Sequence, residues 1–215
     1  MQRPVVKLGG ERAERADAAR NRQLLLNTVR EMIAEAGVEQ VTMDGLAERA
    51  GLGKGTVFRR FRSRAGIFHA LLDDDERAFQ ERVLSGPPPL GPGAAPVARL
   101  VAYGRARIRF LLERHAVARA ALDRNQPIPA GESTLSQIHL RVLLGQAGLD
   151  VPDVDSLAVQ LTGALEGPIL LYLSVPPRTD DARHIARLAD SWQLLIERLC
   201  RPAAPERKGQ AGQEG

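Results

Sequence analysis

The chain has 215 residues, 44% of them hydrophobic, and a mean hydropathy of −0.21, which fits one or two small globular domains with a real core. Its longest apolar run, 168–173, is far short of the roughly 20 residues of a membrane helix, no apolar segment follows the basic N-terminal residues as in a signal peptide, and the single cysteine, Cys200, excludes an intrachain disulfide and a cysteine-rich metal site, so a cytoplasmic location is expected. The net charge of +4 is uneven: residues 1–68 hold 13 Lys+Arg against 8 Asp+Glu and residues 69–215 hold 17 against 18, so a polyanionic partner is expected for the first third.

Residues 1–16 have no apolar periodicity and read as a flexible basic arm. From about Asp17 to Ala36, Leu25, Val29, Met32, Ile33 and Ala36 recur at spacings of three and four, and Gly37 ends the helix. Thr42 is placed to cap a short helix, Met43 to Ala50, and Gly51-Leu52-Gly53 has room only for a turn. Lys54 to Phe61 forms another short helix. Ser63 caps a longer one over 64–84, with Ile67, Phe68, Leu71, Leu72, Phe79 and Val83 on a broad face. Its acidic run, Asp73 to Glu76, points around the helix instead of converging, which argues against a metal site and for a solvated face.

"SGPPPLGPGAAP" (85–96) marks a boundary. Helices follow at 97–123 (with a break near His115), 133–147, 154–173 and 180–200, and residues 201–215 lack core-forming residues and read as a disordered tail. No strand pattern competes, so the fold class is all-α.

The stretch "GLGKGTVFRRF" (51–61) admits two readings. A nucleotide-binding P-loop requires G-x-x-x-x-G-K-[ST], but the first glycine position is Glu48, and Gly55 separates Lys54 from Thr56. A dinucleotide G-x-G-x-x-G fails at Thr56, and the preceding "MDGLAERA" is helical where both motifs need a strand. Two short helices joined by a tight turn, after a longer packing helix, form a helix-turn-helix. Leu46, Ala47, Ala50, Leu52, Val57 and Phe61 supply its core, leaving Lys54, Gly55, Thr56, Phe58, Arg59 and Arg60 on the other face. A slim helix start with free backbone N–H groups favours phosphate, and arginines further along can reach phosphate or guanine.

Residues 17–83 resemble the N-terminal domain of the TetR family of bacterial transcriptional regulators, through "AGVEQVTMDGLAERAGLGKGTVFRRFRSRAGIF". The resemblance implies a three-helix DNA-binding head over 17–65, joined by helix 64–84 to a helical ligand-binding and dimerisation body over 66–200. It implies a homodimeric repressor of a near-palindromic double-stranded DNA operator, released by a small-molecule effector. The expected DNA-facing residues are Thr42, Lys54, Gly55, Thr56, Phe58, Arg59, Arg60 and Arg64. Three departures stand out: Gly53 where the family often has serine, Phe58 where it often has tyrosine, and Arg60 where it often has histidine.

In the body, Ile185, Leu188, Trp192, Leu195 and Leu199 fall at a, d, a, d, a of a heptad, and the helix before them is apolar nearly all round from Leu157 to Leu173, with Gly167-Pro168 as a kink. A two-fold four-helix interface would cover both, with Leu161, Leu165 and Ile169 contributing from the earlier helix. An intramolecular core is the alternative. A ligand cavity is expected within 97–173, with Tyr103, Arg107, Phe110, His115 and Tyr172 as polar or aromatic candidates. His115, His139 and His184 lack metal-site spacing and Cys200 has no neighbouring base in sequence, so no cofactor, metal or enzymatic activity is expected. A structural DNA-binding protein without a ligand would instead bind regardless of sequence, and a helical enzyme would need convergent titratable groups in the body.

Overall fold

The computed structural model describes residues 8–122, 134–149, 151–172 and 181–201. Among them run α1 (Leu8–Ala36), a 3₁₀ turn (Val38–Gln40), α2 (Met43–Arg49), α3 (Lys54–Phe61), α4 (Arg64–Ser85), α5 (Pro96–Glu113), α6 (His115–Ala121), α7 (Thr134–Gln146), α8 (Val154–Tyr172) and α9 (Asp181–Leu199). The all-α expectation holds, and the break expected near His115 falls at Arg114. The first helix starts at Leu8, well before Asp17, so part of the expected arm is helical. Residues 1–7 of that arm and 202–215 of the tail lie outside the described residues. None of the helices searched is long and apolar enough to cross a membrane, among the described residues.

Two apolar cores organise these helices. The first joins Leu25, Leu26 and Val29 of α1, Leu46 and Ala47 of α2, Val57 and Phe61 of α3, and Ile67, Phe68 and Leu71 of α4, and it is closed by Ala121 of α6. The second joins Phe79 and Val83 of α4, Leu100, Tyr103, Ile108 and Phe110 of α5, Leu140, Leu143 and Leu144 of α7, Ala158, Leu161 and Leu165 of α8, and Trp192 and Ile196 of α9. The upper half of α4 thus belongs to the head and its lower half to the body.

Between those halves lies the acidic run. Asp73 is exposed, as expected of a solvated face, but Asp74 and Asp75 keep only 17% of their side-chain surface. Arg22 and Arg30 donate to Asp74 at 3.1 and 2.9 Å, Arg30 and Arg114 to Asp75 at 2.7 and 2.8 Å, and Arg107 to Glu76 at 2.6 Å. Successive helical positions do diverge, and here the divergence lets three neighbouring carboxylates serve different helices. Burial works against the Asp74 charge, but the hydrogen bonds and charges of Arg30 and Arg22 outweigh it and hold the carboxyl below its ordinary 3.8. Its contribution to stability is therefore present above that pH and is lost as the pH falls further.

In the body, α9 packs along α5. Gly104 makes this possible, since a Cβ there would overlap the indole of Trp192. The indole N–H donates to the Leu100 carbonyl at 3.0 Å. The apolar stripe of α9 is consequently used within the chain. Trp192, Leu161 and Leu165 are all buried in the body core, which corrects their assignment to a subunit interface. Leu188 and Leu199 pack partly against the same core, and Ile185 is half-buried. Leu195 remains 44% exposed and its neighbour Leu194 50%, while the side chain of Ile169 lies outside those described.

Gly104→Ala is expected to force α5 and α9 apart and cost about 1–3 kcal/mol, as overpacking does, read as a lowered midpoint in thermal or denaturant unfolding. A second prediction concerns pH. The imidazole of His139 lies 4.6 Å from the Tyr103 ring, and burial, aided by the Arg99 charge, pushes it from 6.5 down to about 4. Between those values the unfolded chain takes up a proton that the folded chain refuses, so stability falls as the pH drops through that window. Denaturant midpoints measured across it should decline, and His139→Gln should flatten the decline.

Candidate nucleic-acid interface

The turn between α2 and α3 is built by backbone chemistry. Gly51 has φ +65°, a region that glycine enters without a Cβ penalty. The Leu52 amide donates to the Ala47 carbonyl at 3.0 Å and the Gly51 amide to Glu48 at 3.2 Å, the pairing of a Schellman helix stop. Gly53 is extended and its carbonyl receives the Thr56 amide at 2.8 Å, which starts α3 without a side-chain cap. At this end Lys54 and Gly55 present amides that helix geometry leaves without an intrahelical acceptor.

Val57 and Phe61 anchor α3 in the head core. The opposite side carries most of the residues singled out in sequence. Lys54 is 75% exposed with its Nζ 3.0 Å from Asp44, itself 71% exposed. Nothing lies within 4 Å of where a Gly55 Cβ would be, Thr56 is half-buried, and Phe58 is 63% exposed. Arg59 folds back, its Nε donating to the Gly55 carbonyl at 3.2 Å, and Arg60 donates to the Ala18 carbonyl of α1 at 2.8 Å. Thr42 is occupied as the cap of α2, its hydroxyl accepting from the Gly45 amide at 3.0 Å.

Arg64 departs from its expected place. Its Nε donates to the Val41 carbonyl at 2.7 Å and its terminal nitrogen to the Val38 carbonyl at 2.8 Å, over the Phe68 ring. Those carbonyls flank the 3₁₀ turn ahead of α2, so Arg64 braces the head, while its side chain stays 36% exposed and also reaches Glu39 at 3.4 Å. Its basic character read as a surface signal in sequence, and only the fold reveals the two acceptors. The tie from Arg60 to α1 and the Lys54–Asp44 pair were missed for the same reason.

The expected ligand residues divide. Tyr103, Arg107 and Phe110 do come together, but as packed body core. The Tyr103 hydroxyl donates to Ser136 Oγ at 2.7 Å, and burial pushes its phenol up. Arg107 is held by Glu76 and, at 3.4 Å, by Glu166, above the rings of Phe79 and Phe110. Two open clefts lie elsewhere. One of about 410 Å³ is lined by Arg109, Leu112, Glu113, His115, Ala182 and Ile185 among others, so among the expected residues with described side chains His115 alone reaches it. Another of about 640 Å³ runs over Val97, Val101, Ala102, Arg105 and Arg109. The side chain of Tyr172 lies outside those described. No group of three or more His, Cys, Asp or Glu side chains placed to hold a metal ion occurs among the described residues.

Residues 25–71 match the family model described as bacterial regulatory proteins, tetR family. This match places the likeness to the TetR family in the head. An HTH-type transcriptional regulator of Staphylococcus aureus (strain USA300) is 31% identical to this chain over 65 residues, which cover 30% of this chain and 35% of that protein. The match thus spans about a third of that relative's length. A solved TetR transcriptional regulator from Streptomyces coelicolor is 24% identical, covering 85% of this chain and 99% of that chain with a TM-score of 0.54. AibR, solved with isovaleryl coenzyme A and operator DNA, is 20% identical, covering 85% and 100%, at a TM-score of 0.50. At these identities the likeness shows a shared helical fold that runs from the head into the body.

Arg64→Ala and Lys54→Ala should separate brace from contact. Losing the Arg64 ties is expected to cost the head about 2 kcal/mol in denaturant unfolding. Lys54→Ala should leave stability within about 0.5 kcal/mol, while weakening DNA binding and lowering its salt slope by about one. The reverse pattern would exchange the two roles.

Proposed function

We propose that the chain is a homodimeric transcriptional regulator that holds a near-palindromic DNA operator as a repressor and releases it when a small molecule binds the body. One observation carries the reading: α3 is anchored by Val57 and Phe61 while Lys54, Phe58 and Arg59 stay outward around a capless, glycine-slimmed helix start. Such an end favours phosphate through its dipole and free amides, and the cations along α3 add sequence-independent attraction. In this reading Thr56 and Arg59 meet base edges, Arg59 exchanging the Gly55 carbonyl for DNA, and Arg60 serves both α1 and DNA. Thr42 acts through the α2 cap, next to the same surface.

Dimerisation is proposed through the outward sides of α8 and α9, where Val159, Leu194 and Leu195 remain exposed after the buried residues are used internally. Two recognition helices would then enter successive major grooves about 34 Å apart. The effector reading is supported by the cleft at the α5–α6 break, and AibR, with its acyl coenzyme A and operator DNA, supports a fold that takes both partners. An effector that binds the two head arrangements unequally would shift their populations and so lower the affinity for DNA.

Anisotropy titrations on DNA from upstream of the gene encoding this chain, over a salt series, test the reading. The expected result is specific binding whose logarithm falls linearly with that of salt concentration, by a species that sedimentation identifies as two chains. Absent, salt-insensitive or sequence-blind binding overturns it.

A further inference from the structure

The head and the body are joined by a charge clasp at one helical turn of α4. Asp75 is its shared member: one carboxylate oxygen takes Arg30 of α1 at 2.7 Å, and the other takes Arg114, at the α5–α6 break, at 2.8 Å. Arg30 reaches on to Asp74, which also holds Arg22, so two turns of α1 are tied to the same place. Arg114 is fixed from beneath, its guanidinium 4.2 Å from the centre of the Phe110 ring. Leu112, Glu113, His115 and Ala116, on either side of Arg114 in the chain, line the cleft of about 410 Å³. On the far side, α1 receives the Arg60 guanidinium of the recognition helix at Ala18.

We infer that Asp75 is a positioning residue for the DNA-binding head, transmitting the setting of the α5–α6 break to α1 and so to α3. The inference rests on the regulator reading for its effect on DNA, but the clasp itself is a property of the free protein. Charge-assisted hydrogen bonds between partly buried groups are the stronger kind and tolerate little displacement. A shift of Arg114 therefore changes what holds Arg30, although the two arginines sit on separate helices. Apolar contact alone would couple the segments through α6 and Ala121, with no dependence on this carboxylate.

The test is amide hydrogen exchange on the full chain, followed residue by residue. Asp75→Asn should raise exchange about tenfold in both α1 around Arg30 and in α6, the loss expected for one charge-assisted hydrogen bond. Protection in α7 and α8 should stay unchanged, and Asp75→Glu should restore part of the effect. Should Asp75→Asn unfold the chain, Arg114→Gln decides. It leaves both Arg30 pairs in place yet should raise exchange in α1, which Arg114 does not touch. DNA from upstream of the gene encoding this chain should increase protection at the α5–α6 break in the unmodified protein, and less so in Asp75→Asn. Unchanged exchange in α1 for Arg114→Gln, or equal DNA-induced protection with and without the Asp75 charge, overturns the inference. If that DNA does not bind the unmodified protein, the regulator reading falls, and the exchange results without DNA still decide for or against the clasp.

Discussion

Helix α4 is asked to serve two interiors at once. Its first turns place Ile67, Phe68 and Leu71 among α1, α2 and α3, and its last turns place Phe79 and Val83 against α5. A single α-helix is stiff along its axis, so the two cores inherit a fixed separation and rotation from its 22 residues. Apolar packing could not fill the stretch between them, because that stretch faces arginines from both sides. Carboxylates at three successive positions resolve this: Asp74 and Asp75 share Arg30 of α1, Asp75 also takes Arg114, and Glu76 takes Arg107 of α5. The outcome is a joint that is polar and directional where the flanking contacts are apolar and tolerant.

The contrast in electrostatics between joint and recognition surface follows from exposure. At the joint, Asp74, Asp75 and Arg107 are largely withdrawn from water, and each is paired with an opposite charge because an unmatched buried charge is costly. Lys54 of α3 and Asp44 of α2 are both open to solvent, where such a pair contributes about 0–1 kcal/mol at most. A DNA phosphate can displace Asp44 at little cost. Val57 and Phe61 meanwhile anchor the helix in the apolar core of the head. The ion pairs of Asp74 and Asp75 are thus partly buried and structural, whereas the pair at the start of α3 is open to solvent.

Much of this was legible from residue order. Apart from the early start of α1 at Leu8, the helices, the tight turn at Gly51, the break beside His115 and the apolar residues of the head follow from periodicity and capping chemistry, which act over a few residues. What failed needed partners distant in sequence. Arg64 reads as a surface cation until the carbonyls of Val38 and Val41 are seen beneath it. Asp74 and Asp75 read as solvated until α1 and the end of α5 arrive with arginines. The stripe of α9 is real, but periodicity says only that it must be covered. Gly104, by admitting the indole, decides that α5 is what covers Trp192.

That indole has another property. Trp192 is the only tryptophan of the chain, it is 3% exposed, and its N–H is committed to a carbonyl of the helix it packs on. The head contains none, so the chain's tryptophan emission arises wholly from the α5–α9 seam. Light emitted there is a native optical gauge of whether the body has been pried open, blind to whatever the head is doing.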